Sequence, residues 1–116
     1  MKMPPFQKLL ITWQKPGEPH PASTISSLPV TFGRNRDNTI VLRSEQISRH
    51  HTRIEWSDDA GLLVIDLDSQ NGTQLNGEPI QRAALTPGDA LQIGEYRVLI
   101  DLPEQESYEE VEATIV

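Results

Sequence analysis

The chain has 116 residues, enough for one domain with a buried core but not for two. It contains no cysteine, which excludes a disulfide framework and a thiolate metal site. No apolar run approaches the roughly 20 residues that span a bilayer, and nothing after Met1 resembles a signal peptide. We therefore expect a cytoplasmic protein without membrane insertion.

The net charge of −7 is unevenly distributed. From Asp101 onward there are six acids and no Lys or Arg, whereas the first 100 residues hold eleven acids and ten bases. Between Arg34 and Arg53, five arginines face only two acids. A local positive field on a nearly neutral body fits a compact anion better than a nucleic acid duplex, which needs a broad basic face. We expect no nucleic acid partner.

The hydrophobic pattern predicts short strands and no helix of ten residues or more. The predicted strands are 8–14, 24–26, 30–32, 40–42, 52–56, 62–67, 90–93 and 96–102. Turn residues recur between them, including Asn71-Gly72, Asn76-Gly77 and Gly94-Glu95. This pattern predicts an all-β fold, an antiparallel β-sandwich of about ten or eleven strands. Its predicted core is Ile11, Trp13, Phe32, Ile54, Leu63, Ile65, Leu91, Ile93, Val98 and Ile100.

Candidate binding residues lie where these strands end. Arg34 follows Gly33, whose lack of a side chain allows a sharp bend, and an arginine there presents a planar, permanently charged fork to a phosphate. Ser48-Arg49-His50-His51 precedes the next strand. A serine hydroxyl can donate to a phosphate oxygen, and Arg49 adds a second charge. We expect His50 to be a solvated neighbour.

These residues, together with Ser69-Gln70-Asn71-Gly72-Thr73 and Asn76-Gly77, resemble the forkhead-associated (FHA) domain, a phosphothreonine-peptide-binding module. The resemblance covers about residues 8–102, so 1–7 are expected to be an extension and 103–116 an acidic, disordered tail. It implies an FHA/SMAD-like sandwich with no cofactor. The implied phosphopeptide-binding residues are Arg34, Ser48, Arg49, Gln70 and Asn71. The implied loop-supporting residues are Gly33, His51, Gly72, Thr73, Asn76 and Gly77.

The resemblance also implies partners. These are a phosphothreonine-containing protein and a Ser/Thr protein kinase that writes the mark. Thr114, in the acidic tail, lies in a context that some kinases favour. If it is phosphorylated, we expect capture by a second molecule, because in the resembling family the termini lie at the end opposite the binding loops.

Other functions fit less well. Ser48, His51 and Asp66 can be drawn as a catalytic triad, but no G-x-S-x-G elbow or oxyanion site accompanies them, so we expect no enzyme. Metal ligands are too few, and no phosphate-binding glycine motif of nucleotide-binding proteins occurs. The remaining alternative is a structural or oligomerisation sandwich whose partner binding does not depend on phosphate.

Overall fold

The computed structural model describes residues 8–19 and 21–101. This part of the chain forms eleven strands and no helix, which confirms the predicted β-sandwich. The strands are β1 (Leu9–Gln14), β2 (Ala22–Ile25), β3 (Val30–Gly33), β4 (Ile40–Val41), β5 (Thr52–Ser57), β6 (Gly61–Asp66), β7 (Thr73–Leu75), β8 (Glu78–Ile80), β9 (Arg82–Ala84), β10 (Ala90–Ile93) and β11 (Tyr96–Asp101).

The strands form two sheets. One has the order β2-β1-β11-β10-β7-β8, and the other has the order β4-β3-β5-β6-β9. The strand pairs are antiparallel, as predicted, except for β3–β4, which is parallel. The exception arises because the chain leaves β3, loops back and returns as a two-residue edge strand running the same way.

Three loops leave the same end of the five-stranded sheet. Phe32 pairs with Thr52, and Thr52 pairs with Asp66, so the end of β3, the start of β5 and the end of β6 lie side by side. We call residues 34–39 the arginine loop, 42–51 the serine loop and 67–72 the asparagine loop. Every residue predicted to bind the ligand lies in one of them.

The core fills the space between the sheets. Seven of the predicted core residues belong to it, and Trp13 is half-buried against it. The prediction was only partly right for β6. Leu62 and Val64 lie in the main core cluster, whereas Leu63 and Ile65 lie on the other face beside Glu55 and Arg53, where Leu63 is buried and Ile65 is half-buried. Because 62–65 is apolar throughout, alternation in the sequence does not reveal which residues point inward.

Several predictions lie outside the described residues. These are the N-terminal extension 1–7, the acidic tail 103–116 and its residue Thr114. The predicted domain bounds therefore stay predictions. Among the described residues, no helix is long and apolar enough to cross a membrane.

Candidate functional site

Gly33, the last residue of β3, lets two loops approach each other closely. A Cβ at this position would lie 2.6 Å from Nδ2 of Asn38 and would also collide with the backbone oxygen of Arg49. The backbone of Gly33 is not in the left-handed region, so close approach, and not the sharp bend expected from the sequence, requires glycine here. This contact packs the arginine loop against the serine loop.

Arg34 is fixed at its inner end and free at its outer end. Its backbone N–H donates to the carbonyl of Ser48 at 3.0 Å, and its Nε donates to the carbonyl of Ile47 at 3.0 Å. Among the described residues, the two terminal nitrogens of the guanidinium have no hydrogen-bond or ion-pair partner. The charged fork is thus oriented before any ligand arrives, which lowers the entropy cost of binding.

Ser48 lies beside Arg34 with its hydroxyl oriented by the asparagine loop. The hydroxyl oxygen accepts the backbone N–H of Gln70 at 3.0 Å. A serine hydroxyl has one proton and two acceptor lone pairs, so this bond leaves the proton available to a ligand. A permanent cation and a hydroxyl donor therefore come from two residues whose backbones are hydrogen-bonded to each other, and both kinds of donor suit a phosphate.

His51 is fully buried and joins the serine loop to the asparagine loop. Its Nδ1 accepts the backbone N–H of Ser48 at 3.1 Å, and its Nε2 is 2.8 Å from the carbonyl of Gly72. Those partners assign the proton to Nε2. The His51 backbone also bonds to Phe32 and Leu67. The structure places His51 where a loop brace is expected, behind the surface that carries Ser48.

The asparagine loop contributes two exposed side chains. Nδ2 of Asn71 donates to the carbonyl of Gln46 at 2.8 Å, which fixes the plane of the amide. Among the described residues, Oδ1 of Asn71 and the side-chain amide of Gln70 have no hydrogen-bond partner. Both can therefore meet a peptide, while the backbone of Gln70 holds the Ser48 hydroxyl.

Arg49 and His50 have different surroundings. The Arg49 carbonyl accepts Nδ2 of Asn38 at 2.8 Å and the N–H of Asn35 at 3.2 Å, while its exposed guanidinium has no partner within the described residues. His50 is exposed, as expected, but its Nε2 also lies 3.0 Å from Oδ1 of Asp37. That hydrogen bond lowers the pKa of the Asp37 carboxyl.

Below the loops, a buried polar cluster surrounds Asp66. Oδ1 of Asp66 accepts the hydroxyls of Ser69 at 2.6 Å and Thr73 at 2.7 Å, and Thr73 Oγ1 also lies 2.9 Å from Thr52 Oγ1. Burial alone would raise the pKa of Asp66, but the hydrogen bonds from Ser69 and Thr73 outweigh it, and the net effect lowers the pKa.

The same cluster closes the asparagine loop through Gly72. The N–H of Gly72 donates to Ser69 Oγ at 2.9 Å, and its φ of 85° lies in the left-handed region. Gly72 and Thr73 therefore occupy loop-supporting positions, as the resemblance implied.

Asn76 and Gly77 do not support the loops. They form the tight turn between β7 and β8, with φ values of 50° and 90°. Asn76 bonds to Asp89 and Ala90, at the end of β7 opposite the site. The two residues are structural, but the expectation that they close the binding loop differs from where the structure places them.

Some supporting groups were missed from the sequence. Asn38 cross-links two loops, and the carbonyls of Gln46 and Ile47 orient two of the predicted binding side chains. A backbone carbonyl has no sequence signature, so nothing could have identified the last two. Asp66 and Ser69 carried one usable signal, because Asp and Ser three residues apart at a strand end favour a local side-chain turn.

The geometry does not form a catalytic triad. His51 meets the backbone N–H of Ser48, whereas the Ser48 hydroxyl meets Gln70. Asp66 accepts hydrogen bonds from Ser69 and Thr73. A nucleophile, a base and an orienting acid joined in sequence are therefore not found among these three residues.

Comparison with known proteins connects this geometry to a family. The family model of the FHA domain matches residues 30–94, which is more than half of the chain and contains all three loops. The chain belongs to the FHA domain family. This FHA domain is 31% identical over 97 residues to the glycogen accumulation regulator GarA of Mycobacterium tuberculosis, covering 84% of this chain. The chain spans only 59% of GarA's length.

Solved FHA structures have the same architecture. One, from a study of phosphothreonine-dependent FHA domain interactions, superposes with a TM-score of 0.68 at 26% identity, covering 81% of this chain and 97% of that one. Another, EmbR of Mycobacterium tuberculosis in complex with a low-affinity phosphopeptide, gives a TM-score of 0.68 at 26% identity. It covers 80% of this chain and 24% of EmbR.

Proposed function

We propose that this FHA domain is a phosphothreonine-dependent peptide-binding module that acts in kinase signalling or assembly. The observation that carries the proposal is the pairing of Arg34 with Ser48. The guanidinium is anchored through Nε and the hydroxyl oxygen is occupied by Gln70, so both present free donors on the same surface. Each charge-assisted hydrogen bond to a phosphate contributes about 1.5–3 kcal/mol.

The remaining contacts are assigned to the peptide. Asn71 has a fixed amide plane with a free oxygen, which suits a hydrogen bond to the peptide backbone beside the phosphothreonine. Arg49 and the Gln70 side chain are exposed and supply further donors. A threonine preference rests on the extra methyl group, whose burial is worth about 0.8 kcal/mol.

The cellular setting follows from the same proposal. A Ser/Thr protein kinase writes the mark, and the domain works in the cytoplasm as a binding module without catalysis. GarA, its curated relative, is named a regulator, which supports the absence of enzymatic activity. We propose neither a nucleic acid partner nor insertion into a membrane, in line with the uneven charge of the chain.

Self-association through phosphorylated Thr114 is part of the proposal. Asp101, the last described residue, ends β11, about 17 Å along the strand from Tyr96 beside the Gly94 turn, which contacts the serine loop. The tail thus starts far from its own site, which favours capture by a second molecule. Sedimentation with and without kinase treatment tests this, and a phosphorylated chain that stays monomeric at high concentration contradicts it.

A peptide titration tests the main proposal. The probe is a fluorescent library with a fixed phosphothreonine and degenerate flanking positions, compared with its unphosphorylated twin and with a phosphoserine version. We expect binding at least about tenfold tighter for the phosphothreonine library, a free-energy difference of about 1.4 kcal/mol. Equal binding of the phosphorylated and unphosphorylated libraries supports the phosphate-independent structural domain instead.

A further inference from the structure

Residues 44–47 form a turn within the serine loop that touches both other loops. Two of its N–H groups are satisfied within the turn, because Ile47 N donates to the Ser44 carbonyl and Gln46 N donates to Ser44 Oγ, each at 3.1 Å. We call this segment the anchor turn. Its last two carbonyls point outward to side chains from other loops.

Those two carbonyls meet the side chains that matter most to the proposed ligand. The carbonyl of Gln46 accepts Nδ2 of Asn71 at 2.8 Å, and the carbonyl of Ile47 accepts Nε of Arg34 at 3.0 Å. Two adjacent peptide groups thus set the direction of the phosphate-binding guanidinium and of the peptide-binding amide. Any movement of the anchor turn reaches both side chains together.

How deeply the anchor turn packs into the core is set by the six-stranded sheet. The Ile47 side chain is 1% exposed and packs against Gly94, in the turn between β10 and β11. A Cβ on Gly94 would lie 2.7 Å from Cγ1 and 3.2 Å from Cδ1 of Ile47. A real Cβ does not approach a carbon that closely, so a side chain at Gly94 would push Ile47 outward.

We propose that Ile47 and Gly94 are positioning residues of the phosphothreonine site, although neither presents a side chain to the ligand. The bare backbone of Gly94 lets Ile47 sink into the core, which places the Ile47 carbonyl where it fixes Arg34. When the anchor turn moves, the Arg34 guanidinium regains rotamer freedom. Ligand binding must then remove that freedom at a cost in entropy. This inference rests on the proposed function, because it gives Arg34 and Asn71 their roles.

The test compares Gly94→Ala with Gly61→Ala in the full 116-residue chain. Both glycines have positive φ, 58° and 81°, so both substitutions strain the backbone. A Cβ at Gly61 would meet nothing within 4 Å, and Gly61 lies in the turn between β5 and β6, at the end opposite the site. Gly61→Ala therefore reproduces the strain without the collision.

Two readouts are needed. The first is hydrogen exchange of the Arg34 Nε–H by ¹H–¹⁵N NMR, which requires no ligand. The second is affinity for the phosphothreonine library. We expect Gly94→Ala to accelerate Nε–H exchange and to weaken binding about tenfold, whereas Gly61→Ala leaves both near the parent values. Unchanged exchange in a folded Gly94→Ala variant overturns the inference, and so does an equal effect of the two substitutions.

A second, milder pair of substitutions is compared if the Gly94→Ala variant does not fold. Ile47→Val removes the Cδ1 atom that faces Gly94, and Ile100→Val removes the same atom from a fully buried residue near the far end of β11. We expect faster Arg34 Nε–H exchange only in Ile47→Val. If the Arg34 Nε–H exchanges at the parent rate in Ile47→Val, the inference is overturned.

A failure of the proposed function can be distinguished from a failure of this inference. If the parent chain binds phosphorylated and unphosphorylated libraries equally, the phosphothreonine site is wrong, whatever the exchange data show about the anchor.

Discussion

The two ends of the sandwich are built in different ways. At the far end, two of the turns are closed by residues a few positions away: Ser57 Oγ accepts the N–H groups of Asp59 and Ala60, and Asp89 accepts that of Thr86. The turn at Asn76 is joined to Asp89 and Ala90 of a neighbouring turn at the same end. At the site end, bonds between residues distant in sequence join three loops to each other. Arg34 bonds to a residue 13 positions away, and Asn71 to one 25 positions away.

The difference shows how binding and stability are distributed. A turn closed by its own residues can be altered without moving its neighbours. The three site loops are joined to each other through His51, Asn38 and the anchor turn, so a change in one shifts the others. We therefore expect substitutions at the site end to alter affinity, and those at the far end to alter only stability.

The largest effect is expected for Arg34→Ala. It removes both terminal guanidinium donors from the phosphate, and two charge-assisted hydrogen bonds of about 1.5–3 kcal/mol each predict a loss of at least about 100-fold in affinity. Calorimetric titration with a phosphothreonine peptide measures it. Arg36→Ala is the control, because Arg36 is exposed in the same loop and has no partner among the described residues. If the folded Arg34→Ala variant binds the peptide with the parent affinity, Arg34 does not bind the phosphate.

His51→Ala should lower both stability and affinity. It deletes a buried ring that bonds to Ser48 and Gly72, and we expect a loss of about 2–4 kcal/mol in the free energy of unfolding. Denaturant unfolding and peptide titration on the same sample separate the two quantities.

The far-end counterpart is Asn76→Ala, which loses the bonds to Asp89 and Ala90. It should be less stable but bind with parent affinity. If it binds as weakly as His51→Ala, the division between the two ends is wrong.

Ser48→Ala should weaken phosphopeptide binding by about 1–3 kcal/mol, because it removes a donor to the phosphate and leaves the Gln70 N–H without its acceptor. Ser57→Ala is a matched control, since the Ser57 hydroxyl also accepts backbone N–H groups but lies at the far end. Titration of both variants distinguishes them. Similar affinities for the two would show that a serine acceptor at the site end has no special role in binding.

The smallest effect concerns Asp66 and pH. Its pKa in the folded protein is below the ordinary value of 3.8, so the unfolded state binds more protons in acid. Its stabilisation is therefore present above about pH 3.8 and is lost as the pH falls through the lower folded pKa. The Asp66→Asn variant should be about 1–2 kcal/mol less stable than the parent at pH 7. Its free energy of unfolding should also fall less on acidification than that of the parent.

Thermal unfolding at a series of pH values measures this difference. Asp59→Asn, an exposed acid in the far turn, should unfold as the parent does at every pH. An Asp66→Asn variant with the parent pH profile would show that the buried cluster does not depend on the charge.

The sequence predicted the sandwich because its turns are local. Asn-Gly and Gly-Glu pairs mark strand ends. In strands such as β5 and β10, large apolar residues alternate clearly with polar or small residues. It did not predict which face of β6 points inward, because 62–65 is apolar on both faces. The short strands β7, β8 and β9 were not identified individually. Their three-residue lengths leave too little pattern to detect.

At the site, the exposed side chains were predicted and their supports were not. Arg34, Ser48 and Asn71 carry recognisable chemistry at recognisable spacings. The carbonyls of Gln46 and Ile47 carry none, and the packing of Ile47 on Gly94 joins two sheets across 47 positions of sequence. Interactions of that kind become visible only in three dimensions.

The most direct test is to map phosphopeptide binding on the ¹⁵N-labelled chain by NMR. On addition of a phosphothreonine peptide, we expect the largest shifts in the arginine, serine and asparagine loops, with the Arg34 Nε–H and the Gln70 N–H among them. The turns at Gly61, Asn76 and Gly88 should stay unchanged, and the unphosphorylated peptide should leave the loops unshifted. Shifts centred on the far end, or loops that respond equally to both peptides, would contradict phosphate-dependent binding at the three loops.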